Sequence, residues 1–483
     1  MSNYKPHAVC VPFALQTHIN PLLKLAKLLH YNGFHITFVN TEFNHKHILE
    51  SKGPNSLDGL PDFCFETLPI DHHPPSNTNV LQRLSSLRFQ FTDNFLLTFR
   101  SLLAKLKSDC AFFNNRPPVT CIIADGFLSS AVIAAEELGI PCVLCWNVSA
   151  SGLLSYIQYR QLMAKCVKLL TGEDHDKNDA SYMDTIVEWL PGMEGITFRD
   201  LPNLIQTKDP ISFMMDSSTG ELERIKKASA HVCHTFEALE VDKLDALSSM
   251  LSQVYSIGPL DLLLNHIPKG PCLTISCNPL NEEVECIQWL NSKKPNSVIY
   301  VSFGTLMVST SDKLVELAWG LANSMHNFLW IIRSDLVMGE STFLPHEFLL
   351  ETKNRAFIAS WCPQDQVLNH PSIGGFITHS GWNSTIESIS SGIPMICWPF
   401  FGEHFVNCRN CCNEWGIGME LNNNFNKNDV EKLLRELMVT DKGKKMKTKA
   451  MEWKNMAEEA IGSLGSSSIN FSKLVSDVLL ASH

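Results

Sequence analysis

Two groups of residues in this chain have the types and spacing to do chemistry. The first pairs a histidine with an aspartate. His18 stands in the turn Gln16-Thr17-His18, directly after the apolar run at residues 7–13 and before a helix-periodic run at 22–29. An imidazole exchanges protons near neutral pH, so a histidine there can serve as a base. By position alone an ordinary turn or cap role is the more frequent one for a single histidine among 18. Asp125 closes the run Cys121-Ile-Ile-Ala124 and precedes Gly126-Phe127-Leu128. A carboxylate placed so can cap a helix or orient an imidazole.

The second group runs from Trp361 to His404. Gly375-Phe-Ile-Thr378 has strand composition, the chain breaks at Gly381, and Ser384-x-x-Glu387 predicts a capping box that opens a helix. A helix start offers backbone N–H groups and the positive end of the dipole, and here His379, Asn383 and Ser384 add donors beside it. Strand, tight turn and helix start in that order suit a nucleotide diphosphate.

These 44 residues resemble, without a gap, the signature box of the plant secondary-product glycosyltransferases, which move sugar from a UDP-sugar to small acceptors. The likeness extends to Pro6-His7, His18-Ile19-Asn20-Pro21, Thr37-Phe38-Val39-Asn40-Thr41, Pro191-Gly192-Met193 and Trp330-Ile331-Ile332-Arg333. Those segments resemble family 85, the branch that glucosylates terpenoids, iridoids and cyanohydrins. The resemblance implies a GT-B fold: α/β, two doubly wound Rossmann-like parallel-sheet domains facing across a cleft. It also implies an inverting transfer that yields a β-glycoside. His18 then occupies the position of the general base, and Asp125 that of the residue fixing its tautomer. Trp361 stacks on uracil, the Cys362 backbone and Gln364 read base and ribose, and Glu387 takes the ribose hydroxyls. Thr305 binds phosphate, His379 and the N–H groups around Asn383 and Ser384 hold the diphosphate, and Trp382, Glu403 and His404 face the sugar. Phe127, Trp146, Phe401 and the loop at 69–79 would line an apolar acceptor pocket, suiting a terpenoid, phenolic or cyanohydrin alcohol.

The chain departs from that family at Thr17, where Gly is usual, at Thr305, where Ser is more frequent, and at Ser380, where Cys is usual. The box ends in Glu403-His404 in place of Asp-Gln. His at the final position is met in members that use UDP-galactose or a pentose donor. The remainder resembles the glucosylating branch, so UDP-glucose is the expected donor.

At 483 residues the chain exceeds what one hydrophobic core supports, so two domains are expected. With 45% hydrophobic and 18% charged residues each should bury an ordinary core. The net charge of −11 argues against nucleic acid or an anionic membrane as partner. The 16 cysteines lack the spacing of a disulfide framework, which favours free thiols in a reducing, cytoplasmic setting. Cys408-x-x-Cys411-Cys412 near His404 has half the spacing of a zinc site, but no second pair follows, so no metal is expected there. Asp174-His175-Asp176 matches a manganese-chelating pattern of another glycosyltransferase fold, yet follows a helix in a polar run and reads as a solvated charge cluster. The apolar run at 8–15 contains Pro12 and leads into a polar turn, as a buried first strand would, and no run reaches transmembrane length. A metal-free monomer is expected, whose partners are a UDP-sugar and a small hydrophobic acceptor.

Positioning these residues requires parallel sheets. Strand-like runs at 7–13, 35–40, 119–124, 141–145 and 231–236 alternate with helical stretches, among them 81–106 and 151–170. After Ile257-Gly258-Pro259 the text turns irregular, and alternation resumes with strands at 297–303, 328–333 and 356–360 and helices at 312–323, 427–437 and 444–460. The expected division is an acceptor-binding domain over 1–255, a linker over 256–296, a UDP-sugar-binding domain over 297–460 and a C-terminal helix over 461–483 that packs back on the first domain. A nicotinamide oxidoreductase would share this fold but need Gly-x-Gly-x-x-Gly after its first strand, and positions 11–21 contain no glycine. A nucleotide-sugar binding protein without catalysis would not require both His18 and Asp125.

Overall fold

The computed structural model describes residues 5–69, 93–113, 116–159, 161–162, 183–202, 220–304, 309–332, 337–338 and 344–481. The chain divides into two compact units: Met1–Phe198 with Leu204–Pro279 and Glu459–His483, and Arg199–Asn203 with Leu280–Glu458.

The first unit is built on seven strands, β1 (His7–Val11), β2 (His35–Thr41), β3 (Phe63–Leu68), β4 (Cys121–Asp125), β5 (Cys142–Trp146), β6 (Ala230–Cys233) and β7 (Val254–Ser256). They lie in the order β3-β2-β1-β4-β5-β6-β7, every pairing parallel. All residues of β1, β2, β4 and β5 are buried, because helices cover both faces of such a sheet. The chain first winds outward from β1 to β3, then returns to place β4 on the other side of β1. Between β1 and β4 the winding reverses, and there the carboxyl ends of the strands open a crevice.

Residues 256–279, expected as irregular linker, carry the short helices Leu260–Asn265 and Pro271–Thr274. Their apolar residues Ile257, Leu260, Leu263 and Cys277 join the first unit's core. So do Leu474, Val478 and Leu479 from the C-terminal helical segment. Three hydrogen bonds fix that segment: Ser467 Oγ donates to Gly258 O at 2.6 Å, and Asn470 Nδ2 to both Ser256 O and Ser256 Oγ at 3.1 Å.

The second unit has β8 (Val298–Ser302), β9 (Ser309–Thr310), β10 (Asn327–Ile331), β11 (Val337–Met338), β12 (Ala356–Ala359), β13 (Ile373–Thr378), β14 (Met395–Cys397) and β15 (Gly418–Glu420). Six of them form a parallel sheet in the order β12-β10-β8-β13-β14-β15, while β9 and β11 pair separately. The winding reverses between β8 and β13, as it does between β1 and β4. Helices Ser311–Asn323 and Lys427–Val439 bury Leu314, Leu317, Leu321, Val430, Leu434 and Leu437 in its core. Trp398 lies in the same core and donates from Nε1 to Asn423 Oδ1 at 2.9 Å.

Candidate active site

In the first unit, register explains why two residues 107 positions apart meet. Val11 of β1 lies opposite Ala124 of β4, so the turn after β1 and the end of β4 share one edge of the sheet. His18, in the first turn of helix Gln16–Tyr31, and Asp125, the last residue of β4, meet there with Nδ1 and Oδ2 2.8 Å apart. The carboxylate is 1% exposed and the imidazole 13%. An ionised carboxylate only accepts hydrogen bonds, so Nδ1 carries the proton and Nε2 keeps its lone pair. The arrangement can therefore take a proton at Nε2 and stabilise the resulting cation through Asp125.

Two further donors fix the carboxylate. Asn147 Nδ2 donates to Oδ2 at 3.1 Å and the Phe127 N–H to Oδ1 at 3.1 Å. The cap reading of Asp125 thus survives only as a local turn, because helix Ser130–Leu138 starts later with Ser129 as its N-cap. Asn147 follows β5, which pairs with β4 in a register that sets Cys145 opposite Asp125. The sequence marked Asn147 only by a polar residue directly after a buried strand.

Phe13 and Phe127 meet the His18 ring edge-on, at centroid distances of 5.3 and 5.7 Å. Trp146 lies buried against Phe127 and donates from Nε1 to His231 Nδ1 at 3.2 Å. Gly126 is required where it stands, because a Cβ there would come within 2.3 Å of the Trp146 ring. The loop expected at 69–79 lies outside the described residues except for Pro69, as do Asp174, His175 and Asp176.

In the second unit, β13 ends at Thr378 and helix Trp382–Ser391 begins four positions later with Gly381 as N-cap. This corrects the expected capping box. The helix opens without a side-chain cap, Ser384 already lies in its first turn, and Glu387 accepts a hydrogen bond from Gln364. The first bond of the helical ladder runs from Thr385 N to Gly381 O at 3.0 Å, so the amides of residues 382–384 precede it. The intervening turn is pinned twice. Ser380, in the left-handed region at φ 64°, donates its N–H to Thr378 Oγ1 at 3.2 Å, and its carbonyl accepts from Asn407 Nδ2 at 2.9 Å. At Gly381 any Cβ would approach His379 Nε2 to 2.3 Å.

His379 and His404 meet edge to face at 4.8 Å, and Phe401 lies over His404 at 4.5 Å. Burial pushes the His379 imidazole down to about 4 and His404 well below its ordinary value, with His379 adding to the second effect. Both rings are therefore neutral near pH 7. Each has a buried Nδ1 without a hydrogen-bond partner among the described residues. Glu403 is buried beside them as N-cap of helix His404–Arg409, and Trp382 packs on Trp415 at 6.2 Å.

Gln364 is the hub of the other half of this cluster. Its Nε2 donates to Glu387 Oε2 at 2.7 Å and to Ser384 Oγ at 3.0 Å, while Tyr300 Oη donates to its Oε1 at 2.9 Å. Tyr300 also contacts the buried Cys362 thiol at 3.3 Å. Trp361 is half-buried after β12, its carbonyl accepting from Glu283 N at 3.0 Å. Asn383 stands in the first turn of helix Trp382–Ser391. Thr305 lies outside the described residues. The structure thus gathers His18, Asp125, Phe127 and Trp146 in one unit and the described donor-site candidates, with Phe401, in the other. The positioning roles of Asn147, Tyr300 and Asn407 were not legible in the sequence because each acts through contacts distant along the chain.

Comparison with known proteins agrees with this architecture. A family model described as "UDP-glucoronosyl and UDP-glucosyl transferase" matches residues 82–457. The chain is 53% identical to a 7-deoxyloganetin glucosyltransferase of Catharanthus roseus, over 98% of this chain and 96% of that one. It is 50% identical to an (R)-mandelonitrile beta-glucosyltransferase of Prunus dulcis, over 99% and 98%. Among solved structures, a UDP-glucose: anthocyanidin 3-O-glucosyltransferase in complex with UDP superposes with a TM-score of 0.79 at 28% identity, covering all of both chains. With a family model matching most of its length and relatives matching nearly all of it, the chain belongs to the UDP-glucoronosyl and UDP-glucosyl transferase family and is a UDP-glycosyltransferase.

Proposed function

We propose that this enzyme transfers glucose from UDP-glucose to a hydroxyl of a small hydrophobic plant metabolite, giving a β-O-glucoside with inversion. The observation that carries the reading is the 2.8 Å bond between His18 Nδ1 and Asp125 Oδ2, which leaves Nε2 as a base. In the proposed step Nε2 removes the acceptor's hydroxyl proton, the oxygen attacks the anomeric carbon, and the bond from that carbon to the diphosphate breaks. UDP leaves, and Asp125 stabilises the imidazolium until it releases its proton. The acceptor belongs to the first unit, against Phe127 with Trp146 behind it, and the donor to the second.

On the donor side Trp361 stacks on uracil, the Cys362 backbone reads the base, and Gln364 holds Glu387 toward the ribose hydroxyls. Thr305, His379 and the amides around Asn383 and Ser384 take the diphosphate, whose charge suits a helix N-terminus. Trp382, Glu403 and His404 face the sugar, and Phe401 supports His404. The step is complete without a metal, and we place the enzyme in the cytoplasm as a monomer. Relatives named for 7-deoxyloganetin and (R)-mandelonitrile favour a terpenoid or cyanohydrin alcohol as acceptor. Incubation with UDP-glucose and a mixed aglycone panel, read by mass spectrometry, tests the proposal. A β-glucoside of at least one small alcohol is expected, and UDP binding without any product would refute it.

A further inference from the structure

The sequence pairs Cys408 with Cys411 and Cys412 but no second ligand pair follows, and the fold supplies a further cysteine. Cys408 lies in helix His404–Arg409 and Cys412 in the π-helical turn Asn410–Glu414 that continues it, so the two face the same way one turn apart. Cys397 is the last residue of β14, 11 positions before Cys408. The sulfur atoms of Cys397, Cys408 and Cys412 all lie within 4.8 Å of one another. Cys411 also lies close enough to Cys397 to act on its thiol. Cys397 and Cys408 are buried and Cys412 is partly exposed, which leaves one side open to solvent. All the described cysteines are free thiols.

We infer that Cys397, Cys408 and Cys412 form a binding site for a thiophilic cation of the zinc class, lying outside the transfer chemistry. Zinc holds sulfur at about 2.3 Å, which in a tetrahedron sets neighbouring sulfurs about 3.8 Å apart, so the three need draw in by no more than about 1 Å. Two ligands one turn apart on a helix and a third from a neighbouring strand leave the fourth position for Cys411 or water. Thiolate donors select zinc or copper(I) over magnesium, calcium or manganese. On binding, three S–H bonds break, three metal–sulfur bonds form and three protons pass to solvent. The filled site ties β14 to the helix that begins at His404. The inference does not depend on the proposed acceptor or donor.

The test uses the full-length chain, reduced, stripped with chelator and titrated with cobalt(II), then zinc. The expected result is a thiolate-to-cobalt charge-transfer band saturating at about one equivalent per chain, its loss when zinc is added, and proton release. Cys397→Ser and Cys412→Ser should each weaken binding by roughly a hundredfold or more, beyond the cost of losing an outer-shell partner. Cys64→Ser, far along the chain, should leave binding unchanged. Because Cys412 is partly exposed, its serine variant should keep the wild-type circular dichroism, and zinc should raise the unfolding temperature of wild type but not of this variant. Absence of the band in wild type, or a band that persists in the Cys397→Ser/Cys412→Ser double variant, would overturn the inference.

Discussion

Replacing Asp125 with alanine removes the acceptor of three hydrogen bonds at once, from His18, Asn147 and the Phe127 amide. In the resting enzyme the loss unsets the imidazole tautomer. In the transition state it removes the counter-charge of the imidazolium. At an effective dielectric constant of about 20, unit charges about 4 Å apart interact by roughly 4 kcal/mol. Water entering the space recovers part of it, so kcat/KM should fall by roughly 10²–10³-fold, or about 2.7–4 kcal/mol. Asn147→Ala removes one neutral donor and should cost about 1 kcal/mol, near fivefold. The assay is UDP release with UDP-glucose and one good acceptor, run well below the unfolding temperature, because three donors lose their acceptor. Circular dichroism and UDP affinity report whether the fold survives. An Asp125→Ala enzyme within about threefold of wild type would refute the reasoning, since no pairing worth so little could set the base.

Three other outcomes follow from the same structure. UDP-glucose should be the preferred donor over UDP-galactose and UDP-xylose, and His404→Gln should raise kcat/KM for UDP-glucose, because a carboxamide spans two hydroxyls where neutral imidazole offers one donor and one acceptor. Wild-type preference for another donor by roughly tenfold, about 1.4 kcal/mol, would contradict this. His231 and His234 are pushed down to about 4 by burial, and each accepts a hydrogen bond, from Trp146 Nε1 and Leu260 N respectively. Between about 6.5 and 4 the unfolded chain binds more protons than the folded one, so stability falls as pH falls, by on the order of 2 kcal/mol per residue at pH 5. A urea midpoint that stays level from pH 7 to pH 5 would show these rings are not neutral acceptors. EDTA should not lower turnover, and inhibition reversed by manganese would restore a metal to the mechanism.

Much of the fold was legible because parallel strands buried on both faces leave unbroken apolar runs, as in β1, β2, β4 and β5. β3 was not, since Glu66 and Thr67 break its apolar run and four of its six residues are only partly buried. Nor were β7, β14 and β15, three residues each and too short for any periodicity. The helix start at Trp382 was misplaced because Ser-x-x-Glu is a capping pattern, whereas here Gln364 engages both side chains of the pattern. Contacts across the sheet were the least legible part. Asn147 and Cys397 are ordinary residues at strand ends until strand order sets them beside Asp125 and Cys408.

The central claim is that a proton leaves the acceptor through His18 while the nucleotide is held elsewhere. Its most direct test is His18→Ala, with UDP affinity measured by calorimetry beside transfer rate on the same preparation. The expected result is a loss of transfer on the order of 10³-fold or more, with UDP affinity within about twofold of wild type. Turnover like that of wild type, or a loss of UDP binding as large as the loss of activity, would contradict it.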